Sequence, residues 1–284
     1  MQKLLKKKYA LALVIIGLFI GFIYFVFLDA YDMKKFRTMQ DKISSSEVVD
    51  LTGLRGIRAS GGYLPRFPTL AKALNHFKGD KIIVNAEFEI TKYVKGLPIT
   101  LLGYENKELA LKYYIRRLVF TGTTEVRPDL IHSELIEAKK YGFIYKNLVI
   151  GSRFKTHDEN VDELITLFDN FAQKAWIHFH CTHGKGRTSM LLVMLDIMIN
   201  APKVALKDII KRQHLLGSVD LSDTVTWLKG GYTTKQLETR KRFIEEFYEF
   251  VRQRKAGGNP RWSDWQRQQK QADIIPQASA ILPQ

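Results

Sequence analysis

The chain has 284 residues, a formal charge of +15 and a single cysteine. That length holds one large domain or two small ones with an ample core, and one cysteine excludes a disulfide framework within the chain. The positive excess suits a polyanionic substrate or an anionic membrane surface; nucleic acid, the competing partner, ranks low because no helix-turn-helix, zinc or aromatic-basic RNA motif is present.

The chain opens with about twenty uncharged, mostly apolar residues from Tyr9 to Leu28. A membrane span needs ~20 such residues, whereas the apolar core of a cleavable signal is ~7–15 and ends at small residues. Phe27-Leu28-Asp29-Ala30-Tyr31 is a poor cleavage site, so residues 1–30 read as an uncleaved anchor, ahead of a cleaved signal or a buried core helix. Lys3, Lys6, Lys7 and Lys8 lie tight against the span. On its other side Lys34, Lys35 and Arg37 are offset by Asp29 and Asp32. The slight bias puts the N-terminus inside and the rest of the chain extracytoplasmic, which in a bacterium is the periplasm.

Residues 31–53, with Ser44-Ser45-Ser46, read as a polar linker. Helices are expected over 68–77, 105–117, 133–141 (stopped by Gly142) and 160–173, and strands over 81–85 and 143–150. Two further helices are expected over 206–215 and 234–254. The alternation predicts an α/β fold, a central sheet flanked by helices. Residues 54–266 form the expected domain, and 267–284 read as a loose, polar tail.

The decisive stretch runs from His180 to Ser189. Ala175-Trp176-Ile177-His178-Phe179-His180 is aromatic and branched, a buried strand by pattern. Residues 188–200 contain no breaker and read as a buried helix. Between them Cys181, Thr182, His183, Gly184, Lys185, Gly186 and Arg187 must turn sharply. The glycines permit positive φ and close backbone approach. Backbone N–H groups and the helix start then make an anion nest, and Arg187 can fork onto two phosphate oxygens. A cysteine in that field falls below the ~8.5 of a free thiol and serves as a nucleophile. A nucleotide-binding loop needs Gly-Lys-Ser/Thr, and here Lys185 precedes Gly186.

His-Cys, five residues and Arg resemble the signature of the cysteine-dependent phosphatase superfamily. Within it the chain is similar to the bacterial cysteine phytases, the tyrosine-phosphatase-like inositol polyphosphatases. The likeness is carried by Trp176 to Cys181, Arg212-Gln213-His214, Phe243 to Val251, Trp262-Ser263-Asp264-Trp265, Arg58-Ala59-Ser60-Gly61-Gly62 and Gly96-Leu97-Pro98-Ile99, over residues 54 to 266. The resemblance implies a cysteine-phosphatase-type sheet with a reduced small β-barrel insertion in 88–128. It implies hydrolysis of phosphomonoesters through a phosphocysteine, with no metal or cofactor, on inositol polyphosphates. Other readings are a phosphoinositide or protein tyrosine/dual-specificity phosphatase, reaching lipid head groups from the anchor, and a catalytically weak phosphate-binding module.

By that resemblance Cys181 attacks and Arg187 holds phosphate with Thr182, His183, Gly184, Lys185, Gly186, Thr188 and Arg58. His180 orients the loop, and Thr188 bonds the sulfur. Lys229, Lys235 and Arg240 are candidates for outer phosphates. Two family features depart. Asn85-Ala86-Glu87-Phe88-Glu89 stands where the family has Asp-Leu-Arg-x-Glu, so only Glu89 fits and Glu87 replaces a basic residue. Counting back from Val161-Asp162 puts Ser152 at the general-acid position. Asp158 is the nearest substitute acid, its competing role being a helix N-cap; His157 is a lesser candidate. Asp162 suits the helix dipole, and Asp196 suits a buried partner.

Overall fold

The computed structural model describes residues 2–45, 47–87, 91–106, 110–150, 156–226 and 231–279. Glu89, Ser152 and Lys229, each singled out above, lie outside the described residues. The elements in chain order are α1 (Gln2–Tyr31), β1 (Arg37–Thr38), β2 (Ala59–Gly62), α2 (Phe67–Ala73), β3 (Lys81–Asn85), β4 (Lys92–Val94) and β5 (Leu97–Pro98). Then follow α3 (Leu111–Thr121), β6 (Ile131–Ser133), α4 (Glu134–Lys140), β7 (Ile144–Asn147), α5 (Asp158–Phe171), β8 (Trp176–His180) and α6 (Gly186–Asn200). The chain closes with α7 (Leu206–Leu215), α8 (Thr234–Lys255) and α9 (Trp262–Ser279).

Two compact units form. One comprises Met1–Met33, Pro65–Asn75 and Ile90–Tyr141; the other comprises Lys34–Leu64, His76–Glu89 and Gly142–Gln284. The first holds a three-stranded antiparallel sheet in the order β5-β4-β6 where the resemblance implied a reduced barrel. In that unit α1 packs its last turns on α3. Val26 and Ala30 are fully buried, Phe27 meets Phe120 edge-on at 5.9 Å, and Arg116 Nε donates to the Val26 carbonyl at 2.7 Å. The segment Tyr9–Tyr31 is long and apolar enough to cross a membrane.

The second unit is built on a five-stranded sheet in the order β1-β2-β8-β3-β7. β2, β8, β3 and β7 are parallel, and β1 joins the edge antiparallel. β8 is buried at every position because both neighbours are strands. This matches its continuous apolar reading, as parallel sheets are covered on both faces. α6 is buried from Thr188 to Met198, all round its circumference, the mark of a helix inside the core.

Three sequence expectations change. The expected linker 31–53 is built into the second unit: β1 pairs with β2, Met39 joins the core and Arg37 is buried. Two residues are too short for a period-2 signal, which is why the pattern reads as loop. The expected tail from 267 continues α9 to Ser279, since Gln, Lys, Arg and Ala are good helix formers whatever their polarity. The expected helices 68–77 and 105–117 are Phe67–Ala73 and Leu111–Thr121.

Candidate active site

The parallel register places the site. Gly62, His180 and Asn85 lie side by side across β2, β8 and β3, so the loop after His180 leaves from the middle of the sheet's C-terminal edge. In parallel α/β sheets that edge is where ligands bind. The Ala86 amide donates to the His180 carbonyl at 3.0 Å and fixes the last residue before the cysteine.

The loop closes by the Gly184 amide donating to the Cys181 carbonyl at 3.2 Å. Gly184 has φ +62°, and a Cβ there would stand 2.6 Å from the Gly62 carbonyl carbon and the Tyr63 nitrogen. No other residue fits between loop and strand. Gly61 does the same one layer down, where a Cβ would meet Thr188 Cγ2 at 2.7 Å and Leu192 Cδ1 at 2.8 Å. The Ser-Gly-Gly of β2 is therefore the seat on which the loop and α6 rest.

The Cys181 sulfur is buried and accepts the Thr188 hydroxyl at 3.2 Å. Burial works to raise the thiol pKa. The hydroxyl and amide of Thr188, the amide of His183 and the charge of Arg187 outweigh it, so the pKa falls below the ordinary thiol value. Arg187 Nη1 donates to the Ala86 carbonyl at 2.9 Å and Nη2 to the Thr182 hydroxyl at 3.2 Å. Thr182 thus holds the guanidinium across the loop mouth. His183 is exposed and meets Tyr63 edge-on at 6.5 Å; Lys185 is exposed at the loop crest.

Beneath the loop lies a buried polar layer. Ser60 Oγ accepts the Trp176 indole N–H at 2.8 Å and stands 3.0 Å from His178 Nδ1. Burial first, then His180 and Arg37, hold His178 well below the ordinary histidine range, so it is neutral. His178 stacks on His180 at 6.4 Å and on Phe36 at 5.9 Å.

Arg58 is a correction. Its guanidinium donates to the Gln173 carbonyl at 2.9 Å and lies over the Phe77 ring. Its carbonyl accepts the Ile177 amide at the start of β8, roughly 13–17 Å along the strand from Cys181. It braces the far end of the sheet, away from the loop. Arg240 is also committed, donating to the Asp220 and Asp223 carbonyls at 3.3 Å, whereas Lys235 is exposed at the start of α8.

Asp158 is the first residue of α5 and His157 occupies the cap. Asn160 Nδ2, in the first turn of α5, donates to the Val149 carbonyl just past β7 at 3.0 Å, which holds the start of α5 at the C-terminal end of that strand. Asp158 Oδ1 accepts the Trp262 indole N–H at 2.9 Å. Asp162, expected to serve the dipole of its own helix, instead accepts the Trp262 and Ser263 amides and caps α9. Asp196 is a buried partner as expected, held by Arg212, Gln213 and Asn200. Among the described residues, no group of three or more His, Cys, Asp or Glu side chains is placed to hold a metal.

Comparison with known proteins fits this geometry. A family model for PTP-like phytases, described by the words inositol hexakisphosphate, matches residues 117–199, which hold β8, the loop and nearly all of α6. The uncharacterized protein AvrBs1.1 of Xanthomonas campestris pv. campestris is 33% identical over 89 residues, 86% of its length and 31% of this chain. The chain belongs to the PTP-like phytase family. A tandemly repeated family member from Mitsuokella multacida shares the fold, with a TM-score of 0.63 at 22% identity over 83% of this chain and 47% of that one. The effector protein hopD2 of Pseudomonas syringae pv. tomato is 26% identical over 144 residues, 50% of this chain. The chain spans about a third of hopD2 and about half of the Mitsuokella phytase.

The sequence reading missed Arg37 and Ser189, which brace the loop from behind. Arg37 lay in the expected linker. Its one signal was an arginine inside the apolar spacing Met33, Phe36, Met39.

Proposed function

We propose that this chain is a cysteine-dependent phosphomonoesterase acting on inositol polyphosphates through a phosphocysteine. The observation that carries it is the Cys181 sulfur, held by the Thr188 hydroxyl and loop amides with Arg187 fixed across the loop mouth. The thiolate attacks phosphorus, forming the phosphorus–sulfur bond as the bond between phosphorus and the inositol oxygen breaks. Loop amides and Arg187's remaining N–H groups take the equatorial oxygens. Asp158, at the catalytic edge of the sheet, gives the leaving oxygen its proton. Water then attacks the phosphocysteine, Asp158 recovers a proton, and inorganic phosphate leaves with the thiolate restored. Two findings support the substrate class: the net charge of +15, and a solved complex of the Mitsuokella multacida enzyme with myo-inositol-(1,3,4,5)-tetrakisphosphate. On the same reading α1 anchors the chain in a membrane with the second unit extracytoplasmic, Lys34 and Lys35 being outweighed by the lysines before the span.

The test uses the full chain in detergent, because Val26 and Ala30 are buried in the first unit. Phosphate release is measured from phytate, phosphoinositides and a phosphotyrosine peptide, alongside Cys181→Ser. Phytate turnover lost in Cys181→Ser is expected. Preference for either other substrate overturns the substrate class, and turnover surviving Cys181→Ser overturns the nucleophile. Asp158→Asn is expected to slow alkyl phosphates far more than aryl ones; equal slowing would assign Asp158 to seating Trp262 alone.

A further inference from the structure

We propose that Arg37 is a positioning residue for the catalytic loop: a second fixed positive charge behind it that aims a loop amide at phosphate and holds the thiolate. The proposal rests on the cysteine chemistry above and concerns a residue of β1, outside the signature loop.

Arg37 is 4% exposed. Nη1 donates to the Gly184 carbonyl at 3.0 Å and to the Lys35 carbonyl at 3.0 Å. Nη2 donates to Ser189 Oγ at 3.1 Å, and Nε to Ser218 Oγ at 3.0 Å. Ser189 Oγ also accepts the Val219 amide at 3.0 Å. One planar group therefore ties together β1, the loop, the first turn of α6 and the segment after α7. Every acceptor is neutral, and among the described residues Arg37 forms no ion pair with a carboxylate. A buried charge without a counter-charge is costly; here the negative group whose field reaches it is Cys181. Desolvation pushes the guanidinium down to about 10, and the cysteine offsets part of that.

The Gly184 carbonyl gives the arrangement its direction. A trans peptide is planar, with its C=O and the next N–H opposed. Drawing the Gly184 oxygen back toward Arg37 turns the Lys185 amide away from Arg37, into the loop. Among the described residues, the ionisable groups on the elements packed about the loop include Arg187 on α6, Arg37 on β1, the imidazoles of His178 and His180 on β8, His183 and Lys185 in the loop, Glu87 after β3 and Asp158 on α5.

The test is the pH profile of Cys181 alkylation by iodoacetamide, which requires no turnover and so stands apart from the substrate assignment. Arg37→Gln is expected to raise the midpoint by about one pH unit, the scale of losing a nearby opposite charge. Arg37→Lys keeps the charge and loses the fork. It is expected to restore the midpoint while phosphate release stays at least tenfold down, and inorganic phosphate protects the cysteine less well. Ser218→Ala keeps the charge and removes one acceptor; it is expected to fold normally, keep the midpoint and lose part of the protection by inorganic phosphate. A midpoint in folded Arg37→Gln that superimposes on the unmutated protein would overturn the proposal, as would Arg37→Lys restoring turnover in full.

Discussion

At the scale of single residues, the site depends on hydrogen bonds to a buried sulfur. A bond to a charged group contributes about 1.5–3 kcal/mol, so Thr188→Val is expected to raise the Cys181 midpoint by roughly one to two pH units. Thiol alkylation against pH measures it. His178 gives a second pH dependence. Its folded pKa is depressed, so below about 6.5 the unfolded chain binds a proton that the folded chain refuses. The stability it contributes is complete above that value and lost as pH falls toward the folded pKa. Urea midpoints at pH 7.5 and 5.5 should therefore differ less in a folded His178→Gln than in the unmutated chain. The placement of Cys181, Arg187 and Thr188 on one loop was legible because loop, spacing and helix are contiguous in sequence. Arg37 was not, because it meets Gly184, Ser189 and Ser218 only after β1 adds to the sheet edge.

At the scale of elements, the family's Arg-Gln-His and Trp-Ser-x-Trp stretches act as joints. Arg212 forks onto Asp196, both fully buried, and its Nη1 reaches the Asp50 and Thr52 carbonyls at 2.9 and 3.0 Å. α6, α7 and the segment before β2 are thus locked together. Removing one partner of a buried pair costs about 3–5 kcal/mol, so Asp196→Ala should lower stability by that order in denaturant titration. Asp162→Ala removes the cap of α9 and is expected to cost about 1 kcal/mol by the same measurement. At the other end of α6, Lys255 Nζ donates to the Ile199 and Ala201 carbonyls, closing that helix with a cation at its negative end. The expected 206–215 helix matches α7 because its apolar spacing is helical and local. The helix expected over 68–77 ends at Ala73 instead, since local propensity yields to tertiary context.

At the scale of the whole molecule, net charge bears on the proposed substrate and α1 on the proposed anchor. If the charge of +15 steers a polyanion to the site, kcat/KM for phytate should fall several-fold from low salt to about 0.5 M, where the Debye length is only ~4 Å. Exposed α1 from Tyr9 to Phe25 is roughly 25 Å long, while Val26 and Ala30 belong to the first unit's core. The sequence alone determined the sharp Cys181–Arg187 loop between strand and helix, the α/β class and the apolar N-terminal run, because each is written in contiguous residues whose spacing sets strand, turn or helix. Tertiary structure decided the rest: that Arg58 braces the far end of the sheet, that Asp158 and Asp162 engage Trp262 and α9, and that Arg37 stands behind the loop. Those roles depend on which strand lies beside which, and a parallel sheet joins residues more than a hundred positions apart. Nothing in their local pattern records that pairing.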